Sequence, residues 1–452
     1  MYRQGLGDCF LLTFFDDKAS KFNFLVDCGV LSTTNEYKDK MVKVAENIDE
    51  VTSHNLDILV ATHEHWDHVS GFDQARSVFE KLPIKKIWLA WTENDNDEFA
   101  KVLKENYSKK VKTVEAAFTK LKNQPTDNFV KKQKDGHEFY LNAFNNFFAF
   151  FGMGAADQMI GLSKTGSAMD FLRKHKKAEK EFLIPASDQV IEMEKLPGVR
   201  FYILGPPKDL KALRKMDASK KDSEIYEMAA GLGLENSLAS AFDSTAEDKY
   251  KPFDAEFRLD DLEAVKDYAS YYSSGLEWRK IDDDWLYSAG NLAIALDSGI
   301  NNTCLAFAIE LLPSRKVLIF PGDAQIGNWL SWYNYEWNVD YDGKKEKVTV
   351  EDLFRHAVFY KVGHHGSHNA TLKEKGLEKM NSKDLIAMIP VDKKMARAKR
   401  WKMPFPPLSD ALSEKTGGKV IIMDEAYPTT IKAKNKVKGG DTELYFDLMV
   451  TN

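Results

Sequence analysis

The sequence has few cysteines and no excess of basic residues. Only three of its 452 residues are cysteine, and their positions do not have the spacing of a disulfide framework. We therefore expect Cys9, Cys28 and Cys304 to be small buried side chains in a reducing compartment. The formal net charge of −6 excludes a global basic field that would attract polyanions by itself. Any nucleic acid would have to be bound by a local patch.

The sequence also lacks the pattern of a secretory signal or a membrane span. The apolar run Phe10 to Phe15 is short, ends in two aspartates and is better explained as a first strand. The aromatic-rich stretch from Phe139 to Met153 contains three asparagines and is too short to cross a bilayer. We expect that stretch to be a buried or interface helix, and we expect a cytoplasmic protein with no membrane contact.

What the sequence does contain is a dense group of metal-binding side chains. The six positions from His63 to His68 hold three histidines and two carboxylates, directly after the apolar run 56–61, which predicts a buried strand. His63 and His65 alternate and can turn toward one ion, while Asp67 and His68 can reach a second ion from a tighter bend. We therefore predict a metal-binding loop.

The order of these residues, His63-x-His65-x-Asp67-His68, resembles the H-x-H-x-D-H signature of the metallo-β-lactamase superfamily. Further segments follow in the order found in that superfamily: an opening hairpin with Asp27, a strand before Asp323, and a strand before the sequence His364-His365-Gly366-Ser367. This last sequence resembles the branch that includes the ComEC-type DNA-uptake proteins and related phosphodiesterases.

The resemblance implies an α/β fold, an αββα sandwich of two mixed sheets with large helical insertions, over residues 1–452 as a single domain. We predict a Lys-rich helical insertion at 94–198 and an acidic insertion at 208–299 that caps the site. The lysines of the first insertion, Lys109 to Lys134, form either a solvated helix face or a patch that steers a polyphosphate. The insertions are also candidate surfaces for a homodimer or a partner protein.

Apolar patterns locate the remaining elements. They predict strands at 84–91, 199–204, 305–311, 316–320, 386–390 and 420–423, and helices at 69–82 and 408–414.

The resemblance also implies a centre with two divalent ions. Asp323 would bridge the ions, which would hold a hydroxide between them as the nucleophile. The remaining ligands would be His63 and His65 for the first ion, and Asp67, His68 and His365 for the second. The superfamily's third-motif histidine is replaced by Asn301-Asn302, which makes the first site richer in oxygen, with Asn302 as a further candidate ligand. We expect zinc, with manganese as the alternative.

Other residues are assigned to the substrate or to support of the ligands. Because neighbouring strand residues face opposite ways, we expect only one of His364 and His365 to bind an ion. We assign His365 as the ligand and His364, with Asp67, as catalytic, His364 acting as a substrate contact or general acid; the reverse assignment stays open. Asp27 is expected to orient a ligating histidine. Ser367 and His368 either contact phosphate or simply form the loop.

These assignments predict a metal-dependent hydrolase, a phosphodiesterase or nuclease that acts on nucleic acid or a nucleotide. The alternatives are hydrolysis of an ester, lactone or amide by the same centre, or a non-catalytic scaffold in a larger complex. Fold analogy alone cannot separate these alternatives, because one fold supports several chemistries.

Overall fold

The computed structural model describes residues 1–15, 21–122, 141, 144–153, 164–215, 293, 296–431 and 443–451. The chain divides into two compact units. The first comprises Met1–Lys101, Phe148–Ala230 and Ser298–Asn452, and the second comprises Val102–Phe147 and Gly231–Asp297. The second unit is thus made of parts of the two ranges predicted as insertions. The acidic residues of the predicted cap, Asp254 to Asp284, lie outside the described residues.

The first sheet contains the strand that precedes the histidine-rich loop. Its strands, in spatial order, are β1 (Cys9–Phe15), β2 (Lys21–Cys28), β3 (Leu56–Ala61), β4 (Ile84–Ala90) and β5 (Glu179–Leu183). β1 and β2 form an antiparallel hairpin, and the other neighbours are parallel. All six residues of β3 are buried, as expected for a central parallel strand that is covered on both faces.

The second sheet has seven strands and provides the other half of the site. The remaining strands in chain order are β6 (Val190–Met193), β7 (Leu196–Gly205), β8 (Ala306–Leu311), β9 (Lys316–Phe320), β10 (Glu336–Tyr341), β11 (Lys344–Thr349), β12 (Ala357–Lys361), β13 (Ile386–Ile389) and β14 (Val420–Ile422). The seven-stranded sheet has the order β14-β13-β12-β9-β8-β7-β6, while β10 and β11 form a separate hairpin. β9, β12, β13 and β14 run parallel to one another.

The helices in chain order are α1 (Asn35–Val51), α2 (Trp66–Val69), α3 (Gly71–Gln74), α4 (Arg76–Phe79), α5 (Glu98–Lys122), α6 (Lys164–Arg173), α7 (Leu210–Arg214), α8 (Ile326–Ser331), α9 (Val350–Arg355), α10 (Lys393–Ala398) and α11 (Pro406–Thr416). Helices of the first unit, among them α1, α3, α8 and α9, cover the outer faces of its two sheets. Among the described residues, no helix is long and apolar enough to cross a membrane.

Three buried clusters define the layers of the first unit. One lies between the sheets, where Phe24 contacts Phe307 with ring centroids 5.9 Å apart and Phe307 stacks on Phe320 at 5.3 Å. A second joins the outer face of the first sheet to α1 and α3, and a third joins the outer face of the second sheet to α8 and α9. The layers are therefore helix, sheet, sheet, helix, an α/β fold with two mixed sheets.

The range 94–198 is less helical than the sequence predicted. It contains β5 and β6, which pair within the two sheets. Both strands are short and only partly buried, so they lack the continuous apolar run that identifies an interior strand. The cysteines are buried and free: Cys9 and Cys28 lie opposite each other on β1 and β2 without a disulfide.

Candidate metal centre

The predicted ligands come together because they follow parallel strands. The histidine-rich loop follows β3, Asp323 follows β9, and His364 and His365 follow β12. β9 and β12 are parallel neighbours, so their carboxyl ends share one edge of the second sheet. Asp8 immediately precedes β1, which is antiparallel to β2, and therefore lies at the matching edge of the first sheet.

The loop after β3 is entirely buried at its ligand positions. His63, His65, Asp67 and His68 are at most 2 % exposed. The ring centroid of His63 lies 4.7 Å from that of His65 and 4.2 Å from that of His68, so the three imidazoles form one group. A backbone hydrogen bond holds the loop against the opening hairpin, because the Asp67 carbonyl accepts from the Asp8 amide at 2.9 Å.

Gly29 shows how closely the opening hairpin approaches this loop. A β-carbon at Gly29 would lie 2.3 to 2.4 Å from the backbone of Asp67 and His68, which is far inside van der Waals contact. Only glycine permits this approach without displacing the loop.

Asp27 fixes the orientation of His68. Its Oδ2 accepts hydrogen bonds from His68 Nδ1 at 2.8 Å and from the Thr62 hydroxyl at 2.7 Å, and its Oδ1 accepts from the Thr62 amide at 2.8 Å. Since Nδ1 of His68 is used by Asp27, Nε2 is the nitrogen of that ring that faces away from Asp27. Asp27 has a positive φ of 55°, a conformation that costs a non-glycine residue about 1 kcal/mol or more.

Asp323 has one oxygen held by the protein and one directed at the histidines. Its Oδ1 accepts hydrogen bonds from Lys361 Nζ at 3.2 Å and from the His364 amide at 3.1 Å. Its Oδ2 has no hydrogen-bond partner among the described residues and lies 3.1 Å from His68 Nε2 and 3.8 Å from His365 Nε2. Oδ2 is therefore the oxygen available to an ion.

His364 and His365 lie in a tight turn rather than on a strand. β12 ends at Lys361, and both histidines have positive φ, 42° and 53°. The alternation of side chains along a strand therefore does not apply to His364 and His365 and cannot decide which of them binds an ion. Their environments nevertheless differ. His365 Nδ1 donates to the Pro390 carbonyl at 2.8 Å, and its Nε2 lies 2.7 Å from Asp67 Oδ2.

His364 has a different environment from His365. Both of its ring nitrogens are without a hydrogen-bond partner among the described residues, and its side chain is only 5 % exposed. The structure therefore places His365 among the candidate ligands and His364 beside them.

A buried group formed by Asp8, His68, Asp323 and His365 could hold a metal ion, since one ligand atom from each lies within 4.8 Å of all the others. The contacts of Asp8 set it apart. Its oxygens lie 3.7 Å from His68 Nδ1 and 3.6 Å from His365 Nδ1, the nitrogens already used by Asp27 and Pro390. We therefore interpret Asp8 as a charge behind the two histidines rather than as a ligand at their Nε2 atoms.

Unsatisfied buried atoms at the centre fit a bound cation. Atoms without a hydrogen-bond partner among the described residues are His63 Nε2, His68 Nε2, Asp67 Oδ1 and Asp323 Oδ2. An unpartnered buried polar atom costs about 1 to 3 kcal/mol. His68 Nε2 and Asp323 Oδ2 offset part of this cost as an ion pair at 3.1 Å, while His63 Nε2 and Asp67 Oδ1 have no such contact within the described part of the chain, and all four atoms are open to a cation. Imidazole nitrogens mixed with carboxylate oxygens suit a divalent ion such as zinc or manganese.

The protonation of the histidines separates them into two classes. Burial lowers the pKa of His63 well below its ordinary value and lowers the pKa of His65 to about 3 and that of His364 to about 4. Burial also disfavours the charged form of His68, but Asp323, Asp8 and Asp27 outweigh it and raise the pKa of His68 well above its ordinary value. Three imidazoles are thus neutral at pH 7 with lone pairs available.

The carboxylates are ionised although they are buried. Burial opposes ionisation of Asp323, but His68 and Lys361 outweigh it and hold the pKa of Asp323 well below its ordinary value. Asp67 behaves in the same way beside His68 and His365, which lower its pKa. Asp8 differs, because burial outweighs its contact with Lys361 and raises its pKa.

Asn302 makes hydrogen bonds to two neighbouring segments. Its Nδ2 donates to the carbonyls of Leu213 and Lys215 at 3.2 and 2.9 Å, and its Oδ1 accepts from the Asn328 amide at 3.2 Å. The side-chain amide thus joins these segments, and the assignment of Asn302 as a further ligand stays a prediction. Asn301 is the one whose side-chain amide has no hydrogen-bond partner among the described residues, at 0 % exposure.

Ser367 bonds within its own loop, and His368 packs against a different segment. Ser367 Oγ donates to Asn369 Oδ1 at 2.9 Å, and the His368 ring lies edge-on to Phe405 with centroids 6.0 Å apart. Both roles considered for this pair stay predictions.

The sequence analysis did not identify Lys361 or an aromatic wall beside the centre. Lys361 is 1 % exposed and donates to the Gly322 carbonyl at 2.9 Å, to Asp323 and to Asp8. The sequence feature that could have identified Lys361 is a lone lysine at the end of the otherwise apolar strand β12. The wall consists of Phe150, which stacks on His65 at 5.0 Å, and Trp401, which stacks on Phe150 at 5.3 Å.

Models of known protein families, curated proteins and solved structures were compared with this chain, and none of them matched it.

Proposed function

We propose that this chain is a metal-dependent phosphodiesterase of the metallo-β-lactamase type that hydrolyses nucleic acid or a nucleotide. The observation that carries the proposal is the convergence, at one edge of a helix-sheet-sheet-helix sandwich, of His63, His68, Asp67 and Asp323. Each has a buried atom without a hydrogen-bond partner in the part of the chain that the structure describes. The order of motifs along the chain supports the same family. Its layered fold is compatible with this proposal.

We propose that the centre holds two ions. His63, His65 and Asp323 would hold the first ion, and Asp67, His68, His365 and Asp323 the second. Zinc suits the imidazoles, and manganese would suit a first site that lacks a third histidine. When bound, two such ions would supply positive charge to the phosphate oxygens and lower the pKa of a water molecule.

The protein's own groups prepare the centre for this task. Lys361 and the His364 amide occupy Asp323 Oδ1, so Asp323 would bridge through Oδ2 alone. Asp27 and Pro390 hold the Nδ1 atoms of His68 and His365 and so fix which nitrogen of each ring faces the ions. Orientation of this kind removes reorganisation from the reaction step.

His364 is suited to hold the substrate. Its pKa is lowered to about 4 by burial, so at pH 7 the imidazole is neutral and carries one N–H and one lone pair. A neutral imidazole can donate a hydrogen bond to a phosphate oxygen or to the leaving oxygen. It is a weak proton donor, and we therefore favour the role of substrate contact over that of general acid.

Turnover of small substrates tests the proposal. We expect zinc- or manganese-loaded protein to hydrolyse bis(p-nitrophenyl) phosphate faster than a lactone or a p-nitrophenyl ester. Asp67→Ala should abolish that activity, whereas Asp73→Ala, which removes an aspartate that pairs with Arg76 on the surface at 3.0 Å, should not. Full phosphodiesterase activity in Asp67→Ala would refute the mechanism, and preference for the lactone or ester would favour the carboxylic hydrolase.

A further inference from the structure

A short basic segment borders the metal centre in an acidic protein. Six of the ten residues from 393 to 402 are lysine or arginine and none is acidic, although the whole chain has a net charge of −6. The segment comprises α10 and the turn after it. We call residues 393–402 the basic segment. Its cations are Lys393, Lys394, Arg397, Lys399, Arg400 and Lys402.

Most of these cations have no acidic partner. Lys393 pairs with Glu425, but the other five form no ion pair with any residue that the structure describes. Four of the five are exposed, and Lys399 is only partly exposed. Burial lowers the pKa of Lys399. Like charges packed this closely repel one another, so the surface is suited to an anionic ligand.

The turn of the basic segment places an aromatic ring between the cations and the metal loop. Just after α10, Arg400 has a φ of 62°, and the Trp401 amide donates to the Ala396 carbonyl at 2.9 Å. These two features form a Schellman cap. Glycine usually occupies the left-handed position, and an arginine there costs about 1 kcal/mol or more. This cap directs Trp401 toward Phe150.

The rings then continue to a candidate metal ligand. Trp401 and Phe150 are stacked with centroids 5.3 Å apart and planes 6° apart, and Phe150 stacks on His65 at 5.0 Å and 29°. Trp401 is partly exposed, whereas Phe150 and His65 are buried. A row of three rings therefore leads from the basic segment to the metal loop.

We propose that the basic segment and Trp401 bind a single strand of nucleic acid and lead it into the metal centre. The proposal rests on the proposed function and names its substrate class. Lysine and arginine neutralise successive phosphates, while an aromatic ring stacks on an unpaired base. A duplex offers phosphates but keeps its bases stacked inside, so the combination of cations with Trp401 favours a single strand over a duplex.

Binding without cleavage tests the phosphate contacts. The anisotropy of a fluorescent 20-nucleotide oligothymidine would be titrated with protein in EDTA at several salt concentrations. Lys394→Gln/Arg400→Gln/Lys402→Gln should weaken binding about tenfold or more in low salt. It should also reduce the slope of log affinity against log salt by about 2, since each single-strand phosphate contact contributes about 0.7.

The matched control removes the same charge elsewhere. Lys38→Gln/Lys43→Gln/Lys81→Gln changes three exposed lysines outside the centre and should leave affinity and salt slope as in the unsubstituted protein. An equal loss in both triple variants, no loss in either, or no binding of the oligonucleotide at all would overturn the proposal.

Trp401→Leu tests the stacking contact and the preference for a single strand. We expect about 5- to 100-fold weaker binding of the oligothymidine, the effect of losing one stacked base, with little change in binding of a hairpin duplex of the same length. An equal loss for both ligands would indicate a structural defect or phosphate contacts alone and would overturn the single-strand proposal.

Hydrolysis of bis(p-nitrophenyl) phosphate separates this inference from the proposed function, because that substrate is too small to need the basic segment. If the unsubstituted protein hydrolyses it but both triple variants bind the oligonucleotide equally, the strand-binding surface alone is refuted. If the oligonucleotide binds as expected but no metal supports hydrolysis, the surface stands and the proposed function fails.

Discussion

Two buried charged clusters lie on the second sheet, and they differ in whether both oxygens of the central carboxylate have a hydrogen-bond donor. Around Glu310, Oε2 accepts from the Tyr202 hydroxyl at 2.7 Å and Oε1 accepts from the Tyr341 hydroxyl at 2.6 Å. Arg200 and Arg315 lie 3.8 and 3.6 Å from the same carboxylate. Each of the two oxygens thus has a donor, and this cluster fastens the β10-β11 hairpin to the sheet.

The cluster around Asp323 contains buried polar atoms without a hydrogen-bond partner among the described residues. Lys361 and the His364 amide satisfy Asp323 Oδ1, while Oδ2 and the Nε2 atoms of His63 and His68 have no hydrogen-bond partner among the described residues. Buried polar groups are normally paired. In the Glu310 cluster, Arg200 Nη1 and Arg315 Nε also lack a hydrogen-bond partner among the described residues, so the contrast lies in the two carboxylates. Both oxygens of Glu310 have a hydroxyl donor, whereas Asp323 Oδ2 remains open to a ligand.

The largest effect on stability is expected at Lys361. Lys361→Met leaves Asp8 and Asp323 as buried carboxylates without their cation, so the free energy of unfolding should fall by about 3 to 5 kcal/mol. Zinc should then raise the melting temperature of this variant more than that of the unsubstituted protein, because the ions replace the lost charge. The same rise in both proteins would contradict this interpretation of Lys361.

Removing one of the two carboxylates as well provides the control for Lys361. In Lys361→Met/Asp8→Asn the uncompensated charge is smaller, so part of the lost unfolding free energy should return. Strictly additive losses would show that Lys361 and Asp8 do not interact.

A smaller effect, on metal affinity, is expected at Asp27. Asp27→Asn removes the carboxylate that orients His68, and loss of such a partner typically costs about 10- to 100-fold in metal affinity. Competition with a chelator measures the metal affinity of the variant. Asp49→Asn is the matched control, since Asp49 contacts His54 Nδ1 at 2.9 Å in an exposed pair and should not alter affinity. Unchanged affinity in Asp27→Asn would mean that the backbone alone orients His68.

The smallest effect on the metal centre is expected from the other cluster. Glu310→Gln keeps the shape of the side chain but removes its charge, so unfolding free energy should fall by about 1 to 2 kcal/mol. Metal affinity and turnover of bis(p-nitrophenyl) phosphate should stay the same. A large loss of either would mean that the two clusters are coupled and that the contrast drawn between them is wrong.

The loops and central strands could be predicted because their signals are local. The apolar run 56–61 is β3 and the following histidines lie together, and 316–320 is β9 with Asp323 at its end. A central strand covered on both faces needs a continuous apolar sequence, so its position is visible without the fold. The edge strand β5, Glu179–Leu183, is charged and partly exposed, and for that reason it was predicted as part of a helical range.

What depends on long-range contacts could not be predicted from the sequence. Asp8 and Lys361 are 353 positions apart and meet only through the two sheets. Nothing local distinguishes Asn302, which joins two segments, from Asn301, whose amide has no hydrogen-bond partner among the described residues. The stacking of Trp401 on Phe150 likewise requires the fold.

The most direct test of the central claim is the metal content of the folded protein after equilibrium dialysis against zinc or manganese, measured by mass spectrometry. We predict two ions per chain in the unsubstituted protein and in Glu310→Gln, and at most one in His365→Ala. A well-folded protein that retains no ion, or a His365→Ala variant with unchanged content, would contradict the account.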